Sequence, residues 1–134
     1  MSQENVDRVC RTFDALLHDD YEAAKSGFHG DAVWQNTGAF PGPNRCVGRE
    51  AIIDFWKTLM EPFDASVGGQ EVEQATGDNG VVVLGLHAVG RGVGSGAPID
   101  VRWAAAVQVL NGLISRVDVY GSWERALKAV GLEE

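Results

Sequence analysis

The chain has 134 residues, 45% of them hydrophobic, which suffices to bury a real core and is too apolar for a disordered chain. Its net charge is −8 and its Lys and Arg residues are scattered, which argues against a nucleic-acid surface or a grip on anionic lipid. No apolar run reaches bilayer length and the opening Met-Ser-Gln-Glu-Asn is unlike a signal peptide, so a cytoplasmic protein with no membrane or nucleic-acid partner is expected.

The elements follow in chain order. Val6, Val9, Cys10, Phe13, Leu16 and Leu17 recur on one helical face, with Ser2 as a plausible cap and His18-Asp19-Asp20 as the stop. Asp19 followed by Glu22 resembles a capping box for a second, short helix that buries Ala23, Ala24 and Phe28. Ala32 to Thr37 reads as a strand, and Gly38 to Gly48 as a Pro/Gly loop. Ile52, Phe55, Trp56, Leu59, Met60 and Phe63 mark a third helix with a strong apolar face. Strands are then expected over Ser66–Thr76, Val81–Arg91, Ile99–Leu110 and Leu113–Gly121. The first two are joined by Asp78-Asn79-Gly80 and the last two by Asn111-Gly112, a strong signal for a two-residue hairpin. Ser122 can cap a last helix holding Ala126, Leu127 and Val130, with Gly131 past its end. Helices followed by a run of strands imply an α+β fold with an antiparallel sheet, in one domain spanning residues 1–134.

The two central strands are apolar on both faces. Val82, Leu84, Leu86 and Ala88 oppose Val81, Val83 and Val89; Val101, Trp103, Ala105, Val107 and Val109 oppose Ala104, Ala106 and Leu110. Such a sheet needs a cover on each side. Helices supply one, and a second copy is the simplest other, so a homodimer through the outer sheet face is expected.

Few motifs carry chemistry. Gly90 to Gly96 is glycine-dense, but a strand follows it where a phosphate loop needs a helix. Cys10 and Cys46 lack metal-ligand spacing, and His18, His29 and His87 are dispersed, so no metal site is expected. Cys10 reads as a buried thiol and Cys46 as an exposed one. His87 lies inside an apolar strand and is the natural proton carrier near neutrality. Asp100 and Arg102 could pair on one strand face. Asp118 is in phase with Arg116 and Tyr120, which favours an ion pair with Arg116 or Arg102. On a pocket face its carboxylate would instead be a raised-pKa base. Trp34 and Asn36 share a face two positions apart. They read either as core, with the Asn36 amide bonded to the following glycine loop, or as a pocket wall over Ala104, Ala105 and Ala106.

The stretches "FHGDAVW" before the first strand, "VGREAIIDFW" opening the third helix, and "NGLISRVDVY" with "ALKAVGL" near the end, in this element order, resemble the SnoaL-like branch of the NTF2-like superfamily almost end to end. The resemblance implies a cone: a curved mixed or antiparallel sheet wrapped around the three helices of the N-terminal half, with a short C-terminal helix. It implies an apolar interior pocket, frequent dimers and no cofactor. On that fold Phe13, Leu17, Trp34 and Phe40 would line the pocket together with Phe55, Trp56, Leu59, Trp103, Ala105, Val119 and Tyr120. Residue by residue, the tyrosine and two aspartates of ketosteroid isomerases fall on Phe13, Asn36 and Ala104, so those roles are empty. The "YQN" of limonene-epoxide hydrolases matches Trp34 and Asn36, but their Arg and two Asp fall on Leu86, Ala88 and Val119. A polyketide-cyclase reading leaves His87 as base, Asn36 as a donor to an enolate oxygen and Asp118 as the second-choice base. Two functions follow. One is a cofactor-free cyclase, isomerase or dehydratase acting on a small apolar polyketide-, terpenoid- or steroid-like molecule. The other is a non-catalytic small-molecule-binding or dimerisation module.

Overall fold

A computed structural model describes residues 2–36, 44–61, 63–78 and 80–131; for residues 2, 63–70 and 78 it describes the backbone alone. Helix α1 (Ser2–Leu17) buries Val9, Phe13, Leu16 and Leu17, the stripe that their spacing predicts. Helix α2 (Tyr21–Ser26) is capped by Asp20, whose carboxylate accepts the Ala23 N–H at 3.3 Å. Asp19, the expected cap, instead takes a left-handed φ of 63° in the link between the helices. A side-chain carbon at Gly27 would lie 2.7 Å from Thr12 Cγ2, so glycine lets the end of α2 approach α1.

Strand β1 (Phe28–Asn36) begins where a longer helix was expected, so Phe28 belongs to the sheet. Strand β2 (Arg45–Val47) lies within the expected loop and pairs antiparallel with β1. Helix α3 (Arg49–Met60) follows, then β3 (Phe63–Asp78), β4 (Val81–Gly92), β5 (Pro98–Leu110) and β6 (Leu113–Tyr120). Phe63 opens β3 instead of ending α3. Asn111 and Gly112 both have positive φ, 52° and 81°, as a type I′ hairpin between β5 and β6 requires. Helix α4 (Trp123–Ala129) closes the described chain, with Ser122 Oγ accepting the Arg125 N–H at 3.2 Å.

The six strands form one curved, open, mixed sheet in the order β2-β1-β6-β5-β4-β3. Neighbours are antiparallel except β1 and β6, which run parallel. Register irregularities in β3 and at Gln108/Val109 mark bulges, which bend strands and sharpen twist. Side-chain alternation sorts the sheet into two faces. On the inner face one row runs Val82, Val107, Val117, Trp34, and the next runs Leu84, Ala105, Val119, Asn36. The apolar members of these rows join α1, α2 and α3 in the main core.

The outer face carries a second, smaller core. Val83 and Ala104 pack against Ala126 of α4, with Tyr120, Trp123, Leu127 and Val130 around them. The expected homodimer rested on this face lacking a cover within the chain. Helix α4 covers Val83 and Ala104 within the chain, while Val89 and Leu110 of the same face stay exposed. Among the described residues no helix is long and apolar enough to cross a membrane.

Candidate functional site

The interior is built around Trp34. Its ring stacks on Phe13 of α1, with 6.1 Å between centroids and 22° between planes. Phe55 and Trp56 of α3 flank it at 6.3 Å and 6.0 Å, and Trp103 of β5 lies 5.9 Å from Trp56. These tilted and stacked contacts are the arrangements that aromatic quadrupoles favour. Leu17, Ala105 and Val119 are buried in the same core, and Leu59 packs against it.

Among the residues whose side chains are described, Asn36 is the buried polar group on the inner face of the sheet. Its Oδ1 accepts the Trp34 Nε1–H at 3.0 Å. An indole can only donate, so this bond fixes the amide's orientation. The Asn36 oxygen is therefore engaged by Trp34. Among residues whose side chains are described, Thr12 and Asn36 are the buried polar or charged ones. Thr12 is occupied locally, donating to the Arg8 carbonyl at 3.0 Å. Trp56 Nε1–H is buried with no hydrogen-bond partner.

Both thiols keep their protons at neutral pH. Cys46 is buried in the main core, where its position in a loop had suggested an exposed thiol, and burial pushes its pKa up. The Cys10 thiol is raised by burial first and by Asp7 and Asp14 next. Neither is an activated nucleophile.

The two candidate bases lie on the other face. His87 sits opposite Arg102, one position out of phase with the inner-facing Leu86. Its Nε2 is 2.7 Å from Asp100 Oδ1 and its Nδ1 is 3.5 Å from Glu73 Oε1. Arg102 forks onto Glu73 at 3.2 and 3.3 Å, and this pairing raises its pKa. Asp100, the partner that strand spacing suggested for Arg102, is at 4.0 Å. Asp118 sits in an outer row with Gln35, Ala106 and Val83. Its carboxylate is gripped by Arg116, Nε to Oδ2 at 3.0 Å and Nη2 to Oδ1 at 3.0 Å, the ion-pair alternative read from the sequence. Tyr120 belongs with α4 in the outer cluster, whereas Val119 belongs to the main core. Adjacent strand residues point to opposite faces, which puts Tyr120 with the outer cluster and not with the interior set. Phe40 lies outside the described residues.

Sequence spacing missed two features. Glu73 joins His87 and Arg102 only because β3 bulges between Val72 and Gln74, which is set by pairing with β4. The outer face also holds a groove of about 390 Å³ beside α4, edged by Glu73, Gln74, Arg102 and Trp123 and floored at Gly85. It forms where α4 docks, and nothing in the periodicity of the last residues shows where that is. Among the described residues no group of three or more His, Cys, Asp or Glu is placed to hold a metal ion.

The fold is shared widely. An NTF2-like protein from Burkholderia xenovorans superimposes with a TM-score of 0.73 at 18% identity, covering 96% of this chain and 97% of the other. A hypothetical protein of ketosteroid isomerase-like fold from Catenulispora acidiphila, in complex with trimethylamine, gives 0.72 at 19% identity, covering 94% and 93%. TerC co-crystallised with polyporic acid gives 0.71 at 15% identity, covering 96% and 97%. At these identities the likeness is one of fold. No curated protein matches the sequence. Residues 9–117 match the SnoaL-like domain, the stretch that holds the aromatic interior and every strand through Val117, and the chain belongs to that family.

Proposed function

We propose that this chain binds a small, largely apolar molecule against the interior face that carries Trp34, Asn36, Trp56 and Trp103. One observation carries the reading. Among the described residues the inner face is aromatic and aliphatic around the oriented Asn36 amide, while His87 is hydrogen-bonded to Asp100 and Asp118 is paired with Arg116 on the outer face. An apolar wall with a few placed donors is the usual make-up of a small-molecule site. General acid–base turnover in the interior needs an ionisable group within hydrogen-bond reach of the substrate. Neither candidate base supplies one, since each is on the far side of the sheet. Relatives of this fold crystallised with polyporic acid and with trimethylamine support small-molecule binding as the family's common trait.

Titration of tryptophan fluorescence with 2-acetylnaphthalene tests the proposal, because three indoles meet in the interior. Saturable quenching is expected, and it should be the same in His87→Ala. Catalytic conversion of a bound compound that His87→Ala abolishes, with the fold intact, would overturn the proposal in favour of a cofactor-free enzyme.

A further inference from the structure

Two indole N–H groups are buried in the aromatic interior, and they are treated differently. That of Trp34 is satisfied by Asn36. That of Trp56 is the one buried side-chain polar atom among the described residues with no hydrogen-bond partner. Trp56 is 1% exposed and its ring lies between those of Trp34 and Trp103. A donor taken out of water with no acceptor forfeits its hydration, and folded proteins leave few such groups. Phenylalanine would offer similar ring contacts without that cost.

Resting on the interior-site reading above, we infer that Trp56 is a specificity-determining residue that donates its Nε1–H to an oxygen of the bound molecule. An indole only donates, so the ligand must supply an acceptor. The acceptor is uncharged, and we assign it to a ketone, ester or quinone carbonyl, which accepts more strongly than an ether and brings no further donor, as a hydroxyl would, to be buried unpaired. A carboxylate would lose its hydration to a wall in which the buried polar or charged side chains described are Thr12 and Asn36, with no buried cation to offset the cost. The ligand class is thus narrowed from apolar molecules to neutral carbonyl-bearing ones, with the carbonyl directed at α3. An immobilised water on Trp56 is the competing explanation, and the test separates the two.

The test compares 2-acetylnaphthalene with 2-isopropenylnaphthalene, which differ in C=O against C=CH2 at nearly equal shape. Calorimetric titration of the wild-type chain should favour the ketone by about tenfold, the size expected for one net hydrogen bond. Trp56→Phe should erase that preference, so that ketone and hydrocarbon bind alike, whatever it does to the affinity the two probes share. Independently of that variant's folding, the Trp56 indole N–H resonance in the 15N-labelled wild-type protein should move downfield with the ketone alone. Equal affinity for both probes, a preference that survives in Trp56→Phe, or a water cross-peak on that N–H that persists with the ketone bound would overturn the inference and leave the interior site standing. Binding of neither probe would overturn the interior-site reading, and this inference with it.

Discussion

Asn36 was read from the sequence as a donor, either to its own loop or to a ligand. The structure adds that its oxygen is already occupied. Period-two alternation placed Asn36 and Trp34 on one face, but alternation carries no information on which atoms meet. Replacing Asn36 with Ala leaves the Trp34 N–H buried and unpaired. We expect a loss of about 1–3 kcal/mol in urea unfolding. Trp34→Phe combined with Asn36→Leu should cost less than the sum of the single changes, because the second removes a partner that is no longer needed. Additive costs would show that the bond is not formed. Whether a buried donor such as Trp56 Nε1 finds an acceptor is likewise a tertiary property, beyond what composition or spacing can report. Tyr21 gives a prediction in pH. Burial, then the hydrogen bond its hydroxyl donates to Asp19 at 2.9 Å, pushes its pKa from 10.0 up to about 12. The folded state therefore favours the neutral phenol. That contribution is complete below pH 10 and is lost as pH rises through about 12. Stability should fall across this alkaline window, and Tyr21→Phe should flatten the fall in pH-dependent unfolding.

The main helices and the strands after α3 were legible because periodicity over eight or more residues averages out local noise. The β5–β6 hairpin was legible for another reason, the positive φ that Asn111-Gly112 accepts. Strand β2 was not. Three residues between the segment holding Pro41 and Pro43 and the following Gly48 have no readable period, and pairing of Trp34 with Cys46 makes the strand. The same pairing explains why Cys46 is buried. Its raised pKa predicts slow reaction with a disulfide reagent at pH 8 in the native state and fast reaction after unfolding. Equal rates in both states would contradict its place in the core. At the other end Ser122 was correctly read as a cap from its type and position. Ser122→Ala should cost about 1 kcal/mol by thermal or urea unfolding.

At the scale of the whole molecule, the apolar pattern on both sheet faces was legible, and part of the outer cover proves to be the chain's own last helix. Sequence shows that Val83 and Ala104 must be buried; it does not show that the chain's own last helix returns to bury them. Ala126→Asp places a carboxylate against that patch. It should destabilise the fold by a few kcal/mol and promote concentration-dependent association by light scattering, as α4 undocks. An unchanged transition would mean that α4 does not cover the face. The cone itself was legible from element order and motif resemblance. The side of the sheet on which each polar residue falls was less so, because a one-residue difference in phase separates His87 from Leu86 and Asp118 from Val119. That difference puts His87 and Asp118 outside, and among the described residues leaves the buried interior to apolar side chains with Thr12 and the Asn36 amide. Native mass spectrometry of the purified chain, alone and with 2-acetylnaphthalene added, tests this division most directly. One small molecule per chain, copurified or taken up, is expected in both wild type and His87→Ala. A folded chain that carries the bare polypeptide mass under every condition would contradict it.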